Sequence, residues 1–291
     1  MRIFYINLDR RTDRRAQMEE RLADLGLAAS RLSAITADQL SEADRAFSCN
    51  PQKFYWMTPE ECACTQSHLK ALRAFLDSGD SHGLILEDDA VLSPRLPGFL
   101  ETFQDAPPPI DIVRIETFLD VQRLAPAAEY VVDGIELKRS WTWAAGAAAY
   151  IVNRRAAAHV LDSIWPRLDV IDRPLFNPYE PVGRALRVRH CVPGLAIQMD
   201  RLQPGKSDSD LQASRLARDS MRQLSPVTRL WYHLRKVFQN EVIIGPQRTI
   251  DRMGVRLRPD DVAGAIARAS GAPHWWPQLH WTVGWQGFFF V

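Results

Sequence analysis

Two hydrophobic rhythms alternate along the chain. Arg2 to Leu8 carries Ile3, Tyr5, Ile6 and Leu8, a strand pattern, and Thr12 to Leu25 follows with Met18, Leu22 and Leu25 on one helical face, closed by Gly26. Leu32 to Ile35 reads as a second strand, and Phe47 to Met57, with Pro51 and several aromatics, as a loop folded over something. Thr58-Pro59-Glu60-Glu61 puts a capping threonine before a proline at the first helical position, with a glutamate three residues after the cap, so a helix is predicted to start there. Its apolar stripe, Cys62, Leu69, Leu72 and Leu76, runs to Gly79, and Gly83-Leu84-Ile85-Leu86 predicts the next strand.

Asp111 to Ile115 predicts a further short strand, Tyr130 to Leu137 a hairpin around Asp133-Gly134, and Ala147 to Val152 a strand feeding a helix capped by Asn153. Strands and helices alternate through residues 1–165, which predicts an α/β fold on a mainly parallel sheet. From Ile164 to Pro204 the prolines multiply and regular structure is expected to thin. Residues 210–240 read as helical again, and the tail holds Trp275, Trp276, Trp281, Trp285 and Phe288 to Phe290. The chain thus divides into an α/β domain over 1–210 and a helical, aromatic-rich extension over 211–291.

Composition changes the picture only by exclusion. With 46% hydrophobic and 24% charged residues the chain is globular, and 36 basic against 35 acidic residues provide no global field for nucleic acid. Cys49, Cys62, Cys64 and Cys191 form no disulfide framework, and Met1-Arg2-Ile3 leads straight into a strand, so a reducing cytosol without a secretory leader is expected. The longest nearly apolar run, Trp143 to Val152, is about half of the roughly 20 residues a membrane-spanning helix needs.

The chemistry concentrates at Glu87-Asp88-Asp89, three adjacent carboxylates at the carboxyl end of the Gly83 strand. Their mutual repulsion calls for something positive, and oxygen ligands suit Mg²⁺ or Mn²⁺ with the phosphates such an ion holds; the bland alternative is a solvated acidic turn. His68 lies one turn after Cys64, within reach of a ligand if its helix turns that face to the acidic strand end, although helical histidines are commonly structural. Cys62 and Cys64, two apart on a helix, point in different directions and make a poor metal chelate. The Arg10-Arg11 and Arg14-Arg15 pairs follow the first strand where a helix N-terminus and guanidinium groups meet an anion. Pro204-Gly205-Lys206-Ser207 is not a phosphate loop, because Asp200 stands where the first glycine is required. There is no G-x-G-x-x-G.

Phe4-Tyr5-Ile6-Asn7-Leu8-Asp9-Arg10-Arg11-Thr12-Asp13-Arg14-Arg15 resembles the opening of glycosyltransferase family 25, the bacterial lipopolysaccharide-type transferases whose relatives include procollagen galactosyltransferases. Glu61-Cys62-Ala63-Cys64-Thr65-Gln66-Ser67-His68 is similar to the family's second block, and Leu84 to Asp89 to its acidic block. Asp111 to Glu116, Gly146 to Val152, Ile171-Asp172 and Gln198 extend the resemblance to about residue 210.

The resemblance implies a GT-A-like nucleotide-sugar transferase moving a hexose, galactose or glucose, from a UDP-sugar to a saccharide or glycolipid acceptor of a lipopolysaccharide or surface glycan, with inversion. It implies Mn²⁺ or Mg²⁺ on Asp89 and Glu87, donor contacts from Asn7, Arg10, Arg15, His68, Glu87 and Asp88, and a base that is either Asp172 or Glu116. Two other readings stay open: a metal-dependent phosphohydrolase, and a non-catalytic nucleotide- or glycan-binding module. Thr228 to Phe238 reads as a basic amphipathic helix, able to lie on an anionic membrane at the cytoplasmic face or simply to pack on the core.

Overall fold

The computed structural model describes residues 1–50, 56–118, 124–140, 142–164, 168–178 and 180–202, with Val227, Leu230 and Leu234 beyond them. The strand β1 (Arg2–Asn7) is buried on both faces, as a central parallel strand must be. It pairs in parallel with β2 (Ser30–Ser33) on one side and β3 (His82–Glu87) on the other, with Ile6 opposite Glu87. Beyond β3 the sheet continues through β9 (Ala149–Asn153), β5 (Ile112–Arg114), β10 (Val188–Val192), β8 (Ile135–Lys138) and β7 (Tyr130–Val132). Following the pairings outward, β9 and β8 are reversed while the other strands share one direction. A small second sheet orders β4 (Ala90–Leu92), β11 (Ala196–Gln198) and β6 (Glu116–Thr117).

Helices cover both faces because alternate residues of β1 feed two cores. Ile3 and Tyr5 pack with Met18 and Leu22 of α1 (Thr12–Asp24) and with Phe99 and Phe103 of α4 (Leu96–Asp105). Phe4 and Ile6 pack with Leu69, Leu72 and Phe75 of α3 (Pro59–Asp77) and with Ala156, Ala157 and Val160 of α5 (Arg154–Ser163). The predicted start signals act as expected: Thr58 and Glu61 complete the capping box of α3, and Asn153 accepts from the Ala156 amide at 2.8 Å. The hairpin turns at Asp133 and Gly134, both at positive φ, as a tight two-residue turn requires.

Two expectations need correction. Regular structure does not thin after Ile164: β10 is an interior strand and β11 the middle strand of the small sheet, with short helices α6 (Asp172–Phe176), α7 (Pro181–Arg184) and α8 (Met199–Leu202) around them. Arg189 and His190 broke the apolar pattern of β10, but Arg189 is paired with Glu129, so the strand carries polar residues without an apolar run. Helix α2 (Glu42–Ser48), capped by Ser41, takes the first part of the expected Phe47 loop, whose residues 51–55 lie outside the described ones. The expected α/β fold on a mainly parallel sheet is present, with β9 lying antiparallel between β3 and β5. The helical reading of 210–240 and the aromatic tail fall outside the described residues, apart from Val227, Leu230 and Leu234, which are helical and exposed. Among the described residues no helix is long and apolar enough to cross a membrane.

Candidate active site

Strands β1 and β3 end side by side, and a cleft of about 540 Å³ opens beyond them. Arg10 and Arg14 line it from the turn into α1, Cys64 and His68 from α3, the acidic block from β3, and Asp172, Asp200 and Arg201 from the opposite side.

The three carboxylates are held differently. Asp88 accepts from Asn7 Nδ2 at 2.7 Å and from Arg14 at 3.2 Å; burial nevertheless pushes its carboxyl above the usual carboxylate range. Asp89, with its side chain 12% exposed, is pushed up to about 8, first by burial and then by the neighbouring charge of Glu87, with Arg14 at 3.7 Å acting against this. Its Oδ1 has no hydrogen-bond partner among the described residues. Burial also opposes the charge on Arg14, but Asp89 and Asp88 outweigh it and raise the guanidinium further. Glu87 sits 3.0 Å from His68 Nε2, and the other imidazole nitrogen lies 3.2 Å from the Tyr150 hydroxyl. The capped start of α3 fixes this rotation, turning Cys64 and His68 together toward the acidic strand end.

Across the cleft, Asp172 begins α6 and accepts from the Gly146 amide at 2.8 Å. Gly146 holds φ +84°, and a β-carbon there would stand 2.0 Å from Phe118 Cζ, so the approach belongs to glycine alone. Glu116 lies behind this turn. It is buried, 3.3 Å from Arg114, accepts from the Ala148 amide at 2.9 Å, and does not line the cleft. Burial pushes its carboxyl up to about 8 against the pull of Arg114.

The structure therefore gathers Arg10, His68, Glu87, Asp88, Asp89 and Asp172 around one space and leaves three expected site residues outside it. Asn7 is buried beneath the acidic block, donating also to Arg11 O at 3.0 Å and accepting from Arg31 Nε at 2.9 Å. Arg15 is half-exposed and pairs with Glu19 at 2.9 Å. Glu116 is the third. Sequence reasoning passed over Arg14 in favour of Arg15, and missed Asp200 and Arg201 entirely. The signal for Arg14 was present in the same motif, one helical position away. Asp200 follows the unpredicted β11, whose end is tied to the acidic block by Met199 N donating to Asp89 O at 3.0 Å.

No curated protein matches the chain. Several solved structures are similar at low level, two of which serve as examples. One is a glycosyltransferase involved in the glycosylation of the major capsid of PBCV-1, with 14% identity, TM-score 0.36, and coverage of 75% of this chain and 96% of that one. The other is mannose-1-phosphate geranyltransferase from Thermus thermophilus, with 13% identity, TM-score 0.34, and coverage of 65% of this chain and 72% of that one. Neither carries the assignment. The sequence model of glycosyltransferase family 25 (LPS biosynthesis protein) matches residues 1–170, more than half of the 291-residue chain and the whole of the acidic rim from β1 to β3. The chain belongs to glycosyltransferase family 25.

Proposed function

We propose that this glycosyltransferase moves a hexose, galactose or glucose, from a UDP-sugar to a saccharide acceptor of a lipopolysaccharide or surface glycan, with inversion and with the help of Mn²⁺ or Mg²⁺. The observation that carries the reading is the acidic end of β3 facing the cleft, with an enclosed Asp89 oxygen that has no partner among the described residues. An enclosed carboxylate beside two others is unfavourable without a cation, and the residues fit one: Asp89 and Glu87 would hold it, since Asp88 is engaged by Asn7 and Arg14. Such an ion, when bound, supplies positive charge to the departing diphosphate.

The chain's own residues would do the remainder. Arg10 and Arg14 meet phosphate charge at the β1 turn, the charge of Arg14 being favoured by Asp89 and Asp88. Asp172 takes the proton of the acceptor hydroxyl; it lines the cleft, and the Gly146 amide fixes the direction of its carboxylate. Glu116, buried and turned to Ala148, supports that loop instead. An acceptor carried on lipid would bring the chain to the cytoplasmic face of a membrane, and we assign that contact to the basic segment 228–238.

Donor-dependent release of UDP, measured with and without extracted surface glycan, tests the reading. Release that rises with acceptor and with Mn²⁺ supports transfer. Phosphate release independent of acceptor would make the chain a phosphohydrolase, and binding without turnover a non-catalytic module.

A further inference from the structure

One turn of α3 separates Cys64 from His68, so both side chains leave the same helical face. That face lies against the end of β3. Cys64 Sγ, an imidazole nitrogen of His68 and a carboxylate oxygen of Glu87 consequently all fall within 4.8 Å of one another. Around a tetrahedral Zn²⁺, with bonds of about 2.3 Å to sulfur and about 2.1 Å to nitrogen and oxygen, ligand atoms stand about 3.4–3.6 Å apart. His68 Nε2 and Glu87 Oε1 are already at 3.0 Å, so completing the set takes side-chain shifts of about 1 Å.

The surroundings of His68 suit the same role. Its ring is fully buried and stacks on Tyr150 with centroids 5.9 Å apart, and Nδ1 lies 3.2 Å from the Tyr150 hydroxyl. A metal-bound imidazole is commonly fixed in this way, one nitrogen held by an outer partner and the other left for the ion. All three residues line the cleft, so three protein ligands leave a fourth position facing it, as in open rather than purely structural zinc sites. Sulfur in the set distinguishes this site from the all-oxygen pair on Asp89 and Glu87, which suits a harder ion.

We propose that Cys64, His68 and Glu87 form a binding site for Zn²⁺, separate in ligand chemistry from the Mn²⁺ or Mg²⁺ site but sharing Glu87 with it, and that Zn²⁺ there slows transfer by withdrawing Glu87. Binding forms a sulfur–zinc bond and releases the Cys64 thiol proton to solvent. The binding half stands alone; the inhibitory half rests on the transferase reading above.

Cobalt(II) is the probe for the first half. Titrated into the metal-free full chain, it should produce a near-ultraviolet thiolate-to-cobalt charge-transfer band at about one equivalent. Cys64→Ser should abolish the band, His68→Gln should weaken binding at least about tenfold, and Cys49→Ser should keep the band. Thermal melts of the metal-free variants report that each is folded, and Cys64→Ala serves in place of any serine variant that is not. Absence of the band in the native chain, or its persistence without Cys64, overturns the site. For the second half, Zn²⁺ is added to the Mn²⁺-supported reaction and each protein is read against its own rate without Zn²⁺. Inhibition of the native chain that disappears in Cys64→Ser supports the shared glutamate. A cobalt band without zinc inhibition removes the sharing, and a native chain with no transfer in any condition removes the transferase reading while the cobalt result still decides the site.

Discussion

Asn7 Nδ2 donates to Asp88 Oδ2 at 2.7 Å, joining the carboxyl ends of two adjacent parallel strands. Asn7 is 1% exposed, and its amide also engages Arg11 O and Arg31 Nε. It holds the acidic block from below and does not line the cleft. Asn7→Leu should therefore cost about 1–3 kcal/mol, because it strands a buried carboxylate and a guanidinium, and a thermal melt of the metal-free protein should show it. A native melting temperature with weakened donor binding would instead make Asn7 a donor contact.

The two neighbouring arginines should separate cleanly in kinetics. Arg14 reaches Asp88 at 3.2 Å in the cleft, whereas Arg15 is half-exposed against Glu19. Arg14→Ala should raise the KM for donor by about tenfold or more, the loss of one charge-assisted contact. Arg15→Ala should stay close to native, since an exposed pair contributes about 0–1 kcal/mol. Equal effects on KM would place both at the nucleotide.

Asp172 and Glu116 differ in access. Replacing a base by its amide lowers kcat, typically by about 100-fold or more, with little change in donor affinity. Asp172→Asn should behave so at saturating acceptor, and Glu116→Gln should keep kcat within a few-fold, because the native side chain already sits buried against Ala148. The reverse result would exchange the roles; two active variants would exclude both.

Stability of the metal-free protein should fall as pH rises. Asp89 and Glu116 hold carboxyls pushed up to about 8 by burial, against about 4 in the unfolded chain. Between those values the native state keeps protons that the unfolded state has lost, so stability present below about pH 4 is lost on the way to about pH 8, by at most about 1.4 kcal/mol per pH unit and group. Asp111 runs the other way: burial would raise it, but Arg155 and Arg187 hold it well below the usual range, so its contribution is lost only as the solution becomes strongly acidic. Urea unfolding in chelator across this range should show the decline, and Asp89→Asn should flatten it. An unchanged slope in both Asp89→Asn and Glu116→Gln would refute the assignment.

What was legible in the sequence was whatever is encoded locally. The Thr58 cap, the Asn153 cap and the Asp133-Gly134 turn are each written in a few adjacent residues, and each formed as expected. The acidic block and the Cys64–His68 spacing were equally readable, because strand ends and helical turns follow from fixed periods. Long-range placement was not. Nothing in Arg14-Arg15 says which guanidinium faces inward until α1 is docked on the sheet, and Glu116 and Asp172 look alike until the Gly146 turn buries one and presents the other. Strand β10 escaped notice because Arg189 and His190 interrupt its apolar run, and the charge of Arg189 is met by Glu129, a partner distant in sequence.

The reversed strand β9 has a bearing on how such an enzyme can be diversified. Because it runs against β3 and β5, it is the beginning of β9, not its end, that reaches the rim where their ends converge. The segment between β6 and β9 adds β7 and β8 to the far edge of the main sheet and delivers Gly146 to the cleft, so exchanging it between homologous enzymes would change that edge and one wall of the cleft while the β1–β3 pairing keeps its place. Chimeras joined at Thr117 and Ala149 would keep the acidic rim and vary the wall that faces it, so the two sides of the cleft can be altered one at a time.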